Sequence, residues 1–195
     1  MHGSNWCEGP AIRARRGDEG DRGRNIMRNE YLTLRRPYEP DNVKLIVVAE
    51  SPPASGKYFY NPEGRITEPL FAAMIKQLGF SCTNKANGLL KFQQCGWVLV
   101  DATYEPVNKL NHSGKIKVIE RDYPLLRDDL ARMTPDRLTP LVLIKANVCQ
   151  FLEPKLLKDK FNVLNGGIRV PFPSTGQQKQ FREKLGEILK NGIGI

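Results

Sequence analysis

The sequence predicts an α/β fold, a three-layer α/β/α sandwich around a central four-stranded parallel sheet. Short segments such as "VKLIVVA" and "GWVLVDA" are apolar throughout, which is typical of strands covered on both faces of a parallel sheet. Amphipathic helical segments separate them, and this strand–helix alternation occurs four times, as parallel sheets with helices on both faces require. The 195 residues suffice for one domain. We predict a basic, flexible or irregular arm over residues 1–38 and a single folded domain over residues 39–195.

The elements follow from local patterns in chain order. The first strand covers residues 43–49, and the segment "TEPLFAAMIKQLGF" predicts a helix with Thr67 as cap, Pro69 in the first turn and Gly79 at its end. The remaining predictions are a strand at 96–102, a polar connection at 103–122, a short helix at 123–133, a strand within 139–147, a helix at 148–159 interrupted near Pro154, a strand within 161–173 interrupted by two glycines, and a last helix capped by Ser174 or Thr175 and ending around Gly192.

Composition restricts the partners and the compartment. The net charge is +9, and basic residues are in excess both before and after residue 38, which favours nucleic acid first and an anionic membrane second. The sequence contains no apolar stretch near the ~20 residues of a membrane span and no apolar core of a secretion signal. We therefore expect a cytoplasmic protein, nucleoid-associated in a bacterium, that is monomeric. Four cysteines without a CxxC pair predict neither a metal nor a cofactor.

Polar residues follow the predicted strands at their carboxyl ends. Glu50 comes after the first strand, Asp101 ends the second, and "PFPST" follows the fourth. Ligands of parallel sheets bind outside the carboxyl ends of the strands, so these segments are expected to meet at one cleft. The loop after Glu50 also carries three aromatic residues, Tyr58 to Tyr60, which need a cover. Either a flat ligand or a neighbouring helix would supply it.

The order of four motifs resembles the uracil-DNA glycosylase superfamily. These motifs are "AESPP" after the first strand, a Gly-x-x-Phe in "SGKYFYNP", the strand end "WVLVDA", and the Pro-x-Pro-Ser turn in "VPFPST". The resemblance extends from about Val43 to Leu189. It implies an enzyme of base excision repair that flips uracil out of DNA and hydrolyses the N-glycosidic bond.

The resemblance also implies roles for particular residues. Glu50 would orient water or steady the developing sugar cation, and the backbone of Ser51 would lie under the base. Phe59 would stack on the base, with Tyr60 beside it in the substrate site. Asp101 stands where most of the family has Asn. Either it is protonated in a dry pocket and contacts the uracil edge, or it places water.

The last motif lacks the histidine that most of the family has before Pro-Ser. His112, in the basic segment "NKLNHSGKIK", is the candidate replacement as a catalytic donor, although a solvated histidine is the alternative. Ser174 and Thr175 are expected at a helix N-terminus, which suits a DNA phosphate. Gln177, Lys179 and Arg182 follow as further DNA-binding candidates, and their alternative reading is an ordinary cap and a solvated helix face.

Departures from the family pattern leave a second class of function open. Ala49 replaces a glycine and the motif histidine is missing, so the chain could be a non-catalytic module that binds single-stranded or damaged DNA. A small-nucleotide hydrolase has less support because no phosphate-binding glycine motif is present. Some relatives hold an iron–sulfur cluster on four cysteines, but before Cys82 and Cys95 only Cys7 remains, and we expect none. Residues 175–178 provide no apolar wedge for duplex DNA, which predicts a preference for single strands, with Leu110 as a possible substitute wedge.

Overall fold

The computed structural model describes residues 17–194, with side chains described from residue 22 onward. Residues 1–16, which belong to the predicted arm, lie outside the described part, and Cys7 is among them. Within residues 17–194 the elements are α1 (Gly17–Arg35), a 3₁₀ turn (Arg36–Tyr38), β1 (Leu45–Ala49), α2 (Pro69–Gln77), α3 (Lys85–Gln94), β2 (Trp97–Asp101), α4 (His112–Met133), β3 (Leu141–Leu143), α5 (Ala146–Lys158) and α6 (Gln178–Ile193).

The three strands form one parallel sheet in the order β2-β1-β3. In this register Ala49 at the end of β1 lies opposite Asp101 at the end of β2. The α/β class with a parallel sheet is therefore confirmed. Because the strands are parallel and aligned, the loops that follow them open at the same edge of the sheet, where ligands of such folds bind.

The predicted fourth strand is not confirmed, because the described residues form a sheet of three strands. Only single parallel bridges connect Val163 and Val170 to the segment around β3. Between them Gly166 and Gly167 adopt φ angles of 53° and 83°, a left-handed region that glycine enters without steric cost. The two glycines thus turn the chain away from the sheet, and a continuous ladder cannot form there.

Both faces of the sheet are buried. Alternate residues of β1 point to opposite sides, so Leu45 and Val47 join one apolar cluster while Ile46 and Val48 join another. The first cluster includes buried side chains of α2, α3 and α6, and the second includes those of α4 and α5. This double burial explains why the strands are apolar throughout.

The segment predicted as a polar connection is largely helical. Helix α4 begins at His112, and the side chain of Asn111 caps it by accepting a hydrogen bond from the N–H of Gly114 at 2.8 Å. The helix continues through Pro124, and α5 likewise continues through Pro154. Proline removes one backbone donor in each case, and the buried faces of both helices hold the turns together.

Two helices were missing from the predicted element order. Helix α3 is capped by the Asn84 side chain, which accepts from the N–H of Asn87 at 2.8 Å, and it buries Leu89 and Phe92. Helix α1 covers residues 17–35 of the predicted irregular arm. Leu32 and Arg35 of α1 are buried, so this part of the chain is packed against the fold.

Two predicted caps are also corrected. The cap residue of α2 is Glu68 rather than Thr67, and that of α6 is Gln177 rather than Ser174 or Thr175. Neither helix has a side-chain capping hydrogen bond. None of the helices that the described residues form combines the length and hydropathy of a membrane span.

Candidate active site

A cavity of about 520 Å³ opens at the carboxyl ends of the strands. Its lining includes five of the residues that the sequence singled out, namely Glu50, Ser51, Phe59, Asp101 and Ser174. They come from the loop after β1, the end of β2 and the turn before α6. Parallel alignment of the strands brings these separate segments to one place.

Glu50 is buried and held by two side chains that follow β3. The Lys145 ammonium donates to Oε2 of Glu50, and the Asn147 amide donates to Oε1. A second ammonium, Nζ of Lys115 on α4, lies 4.0 Å from Oε2. The carboxylate is thus fixed in one orientation, with its negative charge opposed by cations from two elements.

Lys145 has an unusual backbone conformation. Its φ of 79° lies in a region that side chains other than glycine rarely adopt. Its N–H donates to the carbonyl of Val170 at 2.8 Å, and its own carbonyl accepts from the N–H of Cys149 at 3.0 Å. Such strain persists where surrounding bonds enforce it, and it concentrates at functional sites.

Sequence reasoning missed Lys145 and Asn147. Both belong to "LIKAN", which follows the third strand as Glu50 follows the first. The rule that polar residues after parallel strands converge would have identified them. A lysine next to a buried strand is ordinary when taken alone, because its aliphatic part can pack there. The sequence therefore gave no other sign that Lys145 belongs to the site.

Asp101 is buried with 4% of its surface exposed, and its Oδ2 has no hydrogen-bond partner among the described residues. Burial raises the pKa of this carboxyl to about 7, and the charge of Glu50 adds to the effect. The guanidinium of Arg35 acts in the opposite direction. Near neutral pH, Asp101 is therefore divided between the acid and the carboxylate.

Asp101 also lines a second, smaller cavity of about 140 Å³ between α1, α4 and the loop after β2. Arg28 lines the same space, and its Nε is buried with no hydrogen-bond partner among the described residues. Asp101 thus lines two cavities, of which the larger also holds Glu50.

The three aromatic residues of the loop have different environments. Phe59 lines the large cavity while its ring packs edge-on against Phe92, with 5.2 Å between the centroids. The Tyr58 hydroxyl is buried without a hydrogen-bond partner among the described residues, and the ring contacts Tyr31 of α1 at 4.7 Å. Tyr60 is not among the cavity-lining residues; it is fully buried, and its hydroxyl accepts a hydrogen bond from the N–H of Leu99 at 2.7 Å.

A buried ion pair fixes the aromatic loop from behind. Nζ of Lys85 donates to the carbonyl of Tyr58 and to Oε2 of Glu68, at 2.6 Å in both cases. Burial lowers the pKa of Lys85, and Glu68 offsets part of that effect. Because its side chain is 0% exposed, Lys85 supports the cavity wall without facing a ligand.

The remaining predicted site residues are not among those that line the cavity. His112 is exposed at the start of α4, so the structure does not bring it to Glu50 and Asp101. Thr175, Gln177, Lys179 and Arg182 are exposed around the start of α6.

Phe172 was not singled out by the sequence, yet it lines the cavity with 37% of its surface exposed. It precedes the Pro-Ser turn, and only its exposure distinguishes it from a core residue. Its ring is thus open to solvent at the lining of the cavity.

Comparisons of the chain with protein-family models, with curated proteins and with solved structures find no match of any of the three kinds. The interpretation of the cavity therefore depends on its own residues.

Proposed function

We propose that this protein is a uracil-DNA glycosylase, an enzyme of base excision repair that hydrolyses the N-glycosidic bond of uracil in DNA. The observation that carries the proposal is the environment of Asp101. Asp101 is a buried carboxyl whose Oδ2 has no hydrogen-bond partner among the described residues, and it lines the same cavity as the anchored carboxylate of Glu50 and the ring of Phe59.

A protonated Asp101 has the hydrogen-bonding pattern that uracil requires. The Watson–Crick edge of uracil presents a donor at N3 and an acceptor at O4. A neutral carboxylic acid offers one O–H donor and one carbonyl acceptor, as an amide does, whereas an ionised carboxylate only accepts. The raised pKa of Asp101 makes the neutral form available near pH 7.

The other cavity residues have complementary roles in this proposal. A volume of about 520 Å³ is within the usual range for small-ligand sites and accommodates a flipped nucleotide. Phe59 contacts the face of the base, and the Ser51 backbone lies beneath it. Glu50, held by Lys145 and Asn147, orients the attacking water or stabilises positive charge on the sugar.

We propose that DNA crosses the cavity mouth between Ser174 and the exposed start of α6. Ser174 contacts a phosphate near the flipped base, and Lys179 and Arg182 neutralise the flanking backbone. Thr175 and Gln177 remain candidates as exposed polar groups of the same turn. No role is retained for Tyr60 or His112, because neither side chain lines the cavity.

The proposal also includes the layer arrangement and the number of strands of the fold. Helices on both buried faces of the sheet suit a three-layer sandwich, with residues 163–170 as a degenerate fourth strand. A monomer that acts on DNA in the cytoplasm or nucleoid, with single strands as the preferred substrate, completes it. Among the exposed apolar side chains of the described residues, we propose Phe172, which lines the cavity, and Leu110 as the wedges if duplex DNA is bound.

The direct test uses single-stranded oligonucleotides that contain one uracil, with a thymine oligonucleotide as the matched control. After incubation, alkali cleaves the strand wherever a base has been removed. We expect scission at uracil only, and none with Asp101→Ala. Wild-type protein that binds the oligonucleotide but never produces alkali-labile sites would contradict the proposal.

A binding module is the second candidate, and one observation favours it. Both oxygens of Glu50 already accept hydrogen bonds from Lys145 and Asn147, so the carboxylate is also explained as a structural anchor. In that case uracil-containing DNA binds without excision, and Glu50→Gln changes stability rather than turnover.

A further inference from the structure

The amine of Lys145 is accessible and contacts the carboxylate of Glu50. Its side chain is 30% exposed and lines the cavity, and its ammonium donates to Oε2 of Glu50. Its backbone has a strained φ of 79°, and hydrogen bonds at both its N–H and its carbonyl hold it in place. An amine with an adjacent proton acceptor is the arrangement that attack on an aldehyde requires.

Two other lysines near the site lack this combination. Lys85 is 0% exposed on its side chain and is bound by Glu68 and the Tyr58 carbonyl. Lys115 is 19% exposed, and its Nζ lies 4.0 Å from Glu50. A third lysine, Lys57, is exposed and lines the cavity, but the ion pairs of Glu50 among the described residues are with Lys115 and Lys145. Lys145 is therefore the cavity-lining lysine whose amine contacts the carboxylate.

We infer that Lys145 is a nucleophile that forms an imine with the sugar of an abasic site and promotes cleavage of the strand at its 3′ side. This second activity rests on the proposed function, because base excision in the same cavity leaves an abasic sugar there. In its ring-opened form that sugar carries an aldehyde at C1′, within a site that holds the amine.

The first half of the reaction forms the carbon–nitrogen bond. The Lys145 ammonium gives one proton to Glu50, and the lone pair of Nζ attacks C1′. A second proton moves from nitrogen to the former carbonyl oxygen, which gives a carbinolamine. Glu50 then returns its proton to that hydroxyl, which leaves as water, and a protonated imine joins Nζ to C1′.

The second half breaks the strand without any oxidant or reductant. Glu50, again a carboxylate, takes a proton from C2′, and the electron pair forms a C1′–C2′ double bond. That electron pair then expels the 3′ phosphate as the C3′–O bond breaks. Water adds to C1′ and its two protons pass to Nζ, which releases Lys145 as the ammonium and leaves an unsaturated aldehyde on the 5′ fragment. Glu50 passes the proton from C2′ to the departing phosphate or to solvent and is again a carboxylate.

Borohydride trapping on a ready-made abasic oligonucleotide tests this inference. The abasic site is prepared beforehand by an unrelated glycosylase, so the result does not depend on uracil excision by this protein. Borohydride reduces the imine to a stable amine, and we expect a covalent protein–DNA adduct on a denaturing gel. An absence of adduct with the wild-type protein would overturn the inference, even if uracil excision proceeds.

Variants assign the adduct to one amine. Lys145→Met is expected to reduce it to background, and Lys145→Arg, which keeps the cation beside Glu50 but cannot form an imine, is expected to do the same. Thermal melting of both variants separates chemistry from misfolding. Lys117→Met, on the exposed part of α4, is the control that should leave the adduct intact.

Two outcomes would refute the assignment. One is an adduct of wild-type intensity in a folded Lys145→Arg protein. The other is an adduct that disappears in Lys115→Met while Lys145→Met retains it. Peptide mapping of the reduced adduct should place the modified sugar on residue 145.

Discussion

The two acidic residues at the ends of β1 and β2 have opposite environments, although Ala49 and Asp101 lie opposite each other in the sheet. Glu50, the next residue after Ala49, has hydrogen-bond donors on both of its carboxylate oxygens. Asp101 is equally buried, yet one of its oxygens has no hydrogen-bond partner among the described residues, and its pKa is raised to about 7. The carboxylate that follows β1 therefore has its hydrogen bonds and its counter-charge, whereas the carboxyl at the end of β2 does not.

This difference assigns separate roles to Glu50 and Asp101, which the sequence alone could not distinguish. Carboxyl groups in contrasting environments commonly take contrasting acid–base roles in one site. The anchored Glu50 suits a task that needs a fixed negative charge. Asp101, whose neutral form is accessible near pH 7, suits recognition of a group that both donates and accepts. The following predictions test that division.

Glu50→Gln should have the largest effect. Gln removes the negative charge but keeps the shape, so single-turnover excision of uracil should slow by on the order of 10²- to 10⁴-fold, the range for loss of a positioned acid–base group. Glu187→Gln, on the exposed face of α6, serves as the control and should be neutral. Unchanged excision in Glu50→Gln would remove Glu50 from the chemistry.

Asp101→Asn should stabilise the folded protein at high pH. The unfolded carboxyl ionises near its usual pKa of 3.8, whereas the folded one holds its proton up to about 7. Between these values the wild type loses stability as pH rises, and Asn has no such loss. We expect a gain of about 2–4 kcal/mol at pH 8, from 1.36 kcal/mol per unit of pKa difference.

Denaturant unfolding at pH 8 and pH 4 measures this gain. At pH 4 the two proteins should be much closer in stability, because the folded carboxyl is then protonated and the unfolded one has only begun to ionise, so most of the interval between the two pKa values still lies above this pH. An equal difference at both pH values would mean that the titration of Asp101 does not cause it.

The pH profile of excision should also separate wild type from Asp101→Asn. If the acid form reads uracil, wild-type activity is highest below pH 7 and falls about tenfold per pH unit above it, as the protonated fraction falls. The Asn variant should keep its activity across that range. A variant that is slow at every pH would instead favour a water-placing role for Asp101.

A pair of tyrosine variants probes the same contrast on a smaller scale. Tyr60→Phe removes the hydroxyl that accepts from the Leu99 N–H, whereas Tyr58→Phe removes a buried hydroxyl without a described partner. Tyr60→Phe should therefore cost on the order of 1 kcal/mol more stability than Tyr58→Phe. Equal losses, measured by denaturant titration, would show that the Tyr58 hydroxyl has a partner such as water.

Much of the sheet could be predicted because burial on both faces forces apolar runs. β1 and β2 agree with the sequence pattern to within two residues at either end. Helix α3 was missed because its buried positions include Lys85 and Gly88, which weaken the apolar periodicity. Helix α1 was missed because one of its buried residues is the charged Arg35. Its burial depends on ion pairs with Glu39 and Asp129, and the polar sequence of the helix does not show these pairs.

The site was predictable where it follows strand ends and not where it depends on packing. Glu50 and Asp101 meet at the cavity because the sheet is parallel, and Ser174 joins them although the segment before it forms only single bridges to the sheet. By contrast, the inward direction of Tyr60 depends on its hydrogen bond to Leu99, and the exposure of Phe172 depends on how the last turn is folded. Lys145 and Asn147 were within reach of the same strand-end rule.

The buried guanidinium of Arg35 has a consequence for how the chain is made. It donates to the Tyr104 hydroxyl and to the Asp129 carboxylate, the latter 94 residues further along the chain. During synthesis at the ribosome, helix α1 emerges well before its partner on α4 exists. Helix α1 must therefore wait for α4 before the buried pair of Arg35 and Asp129 can form. Until then Glu39, four residues further along the chain, is the carboxylate available to the guanidinium, and burial of that charge remains costly.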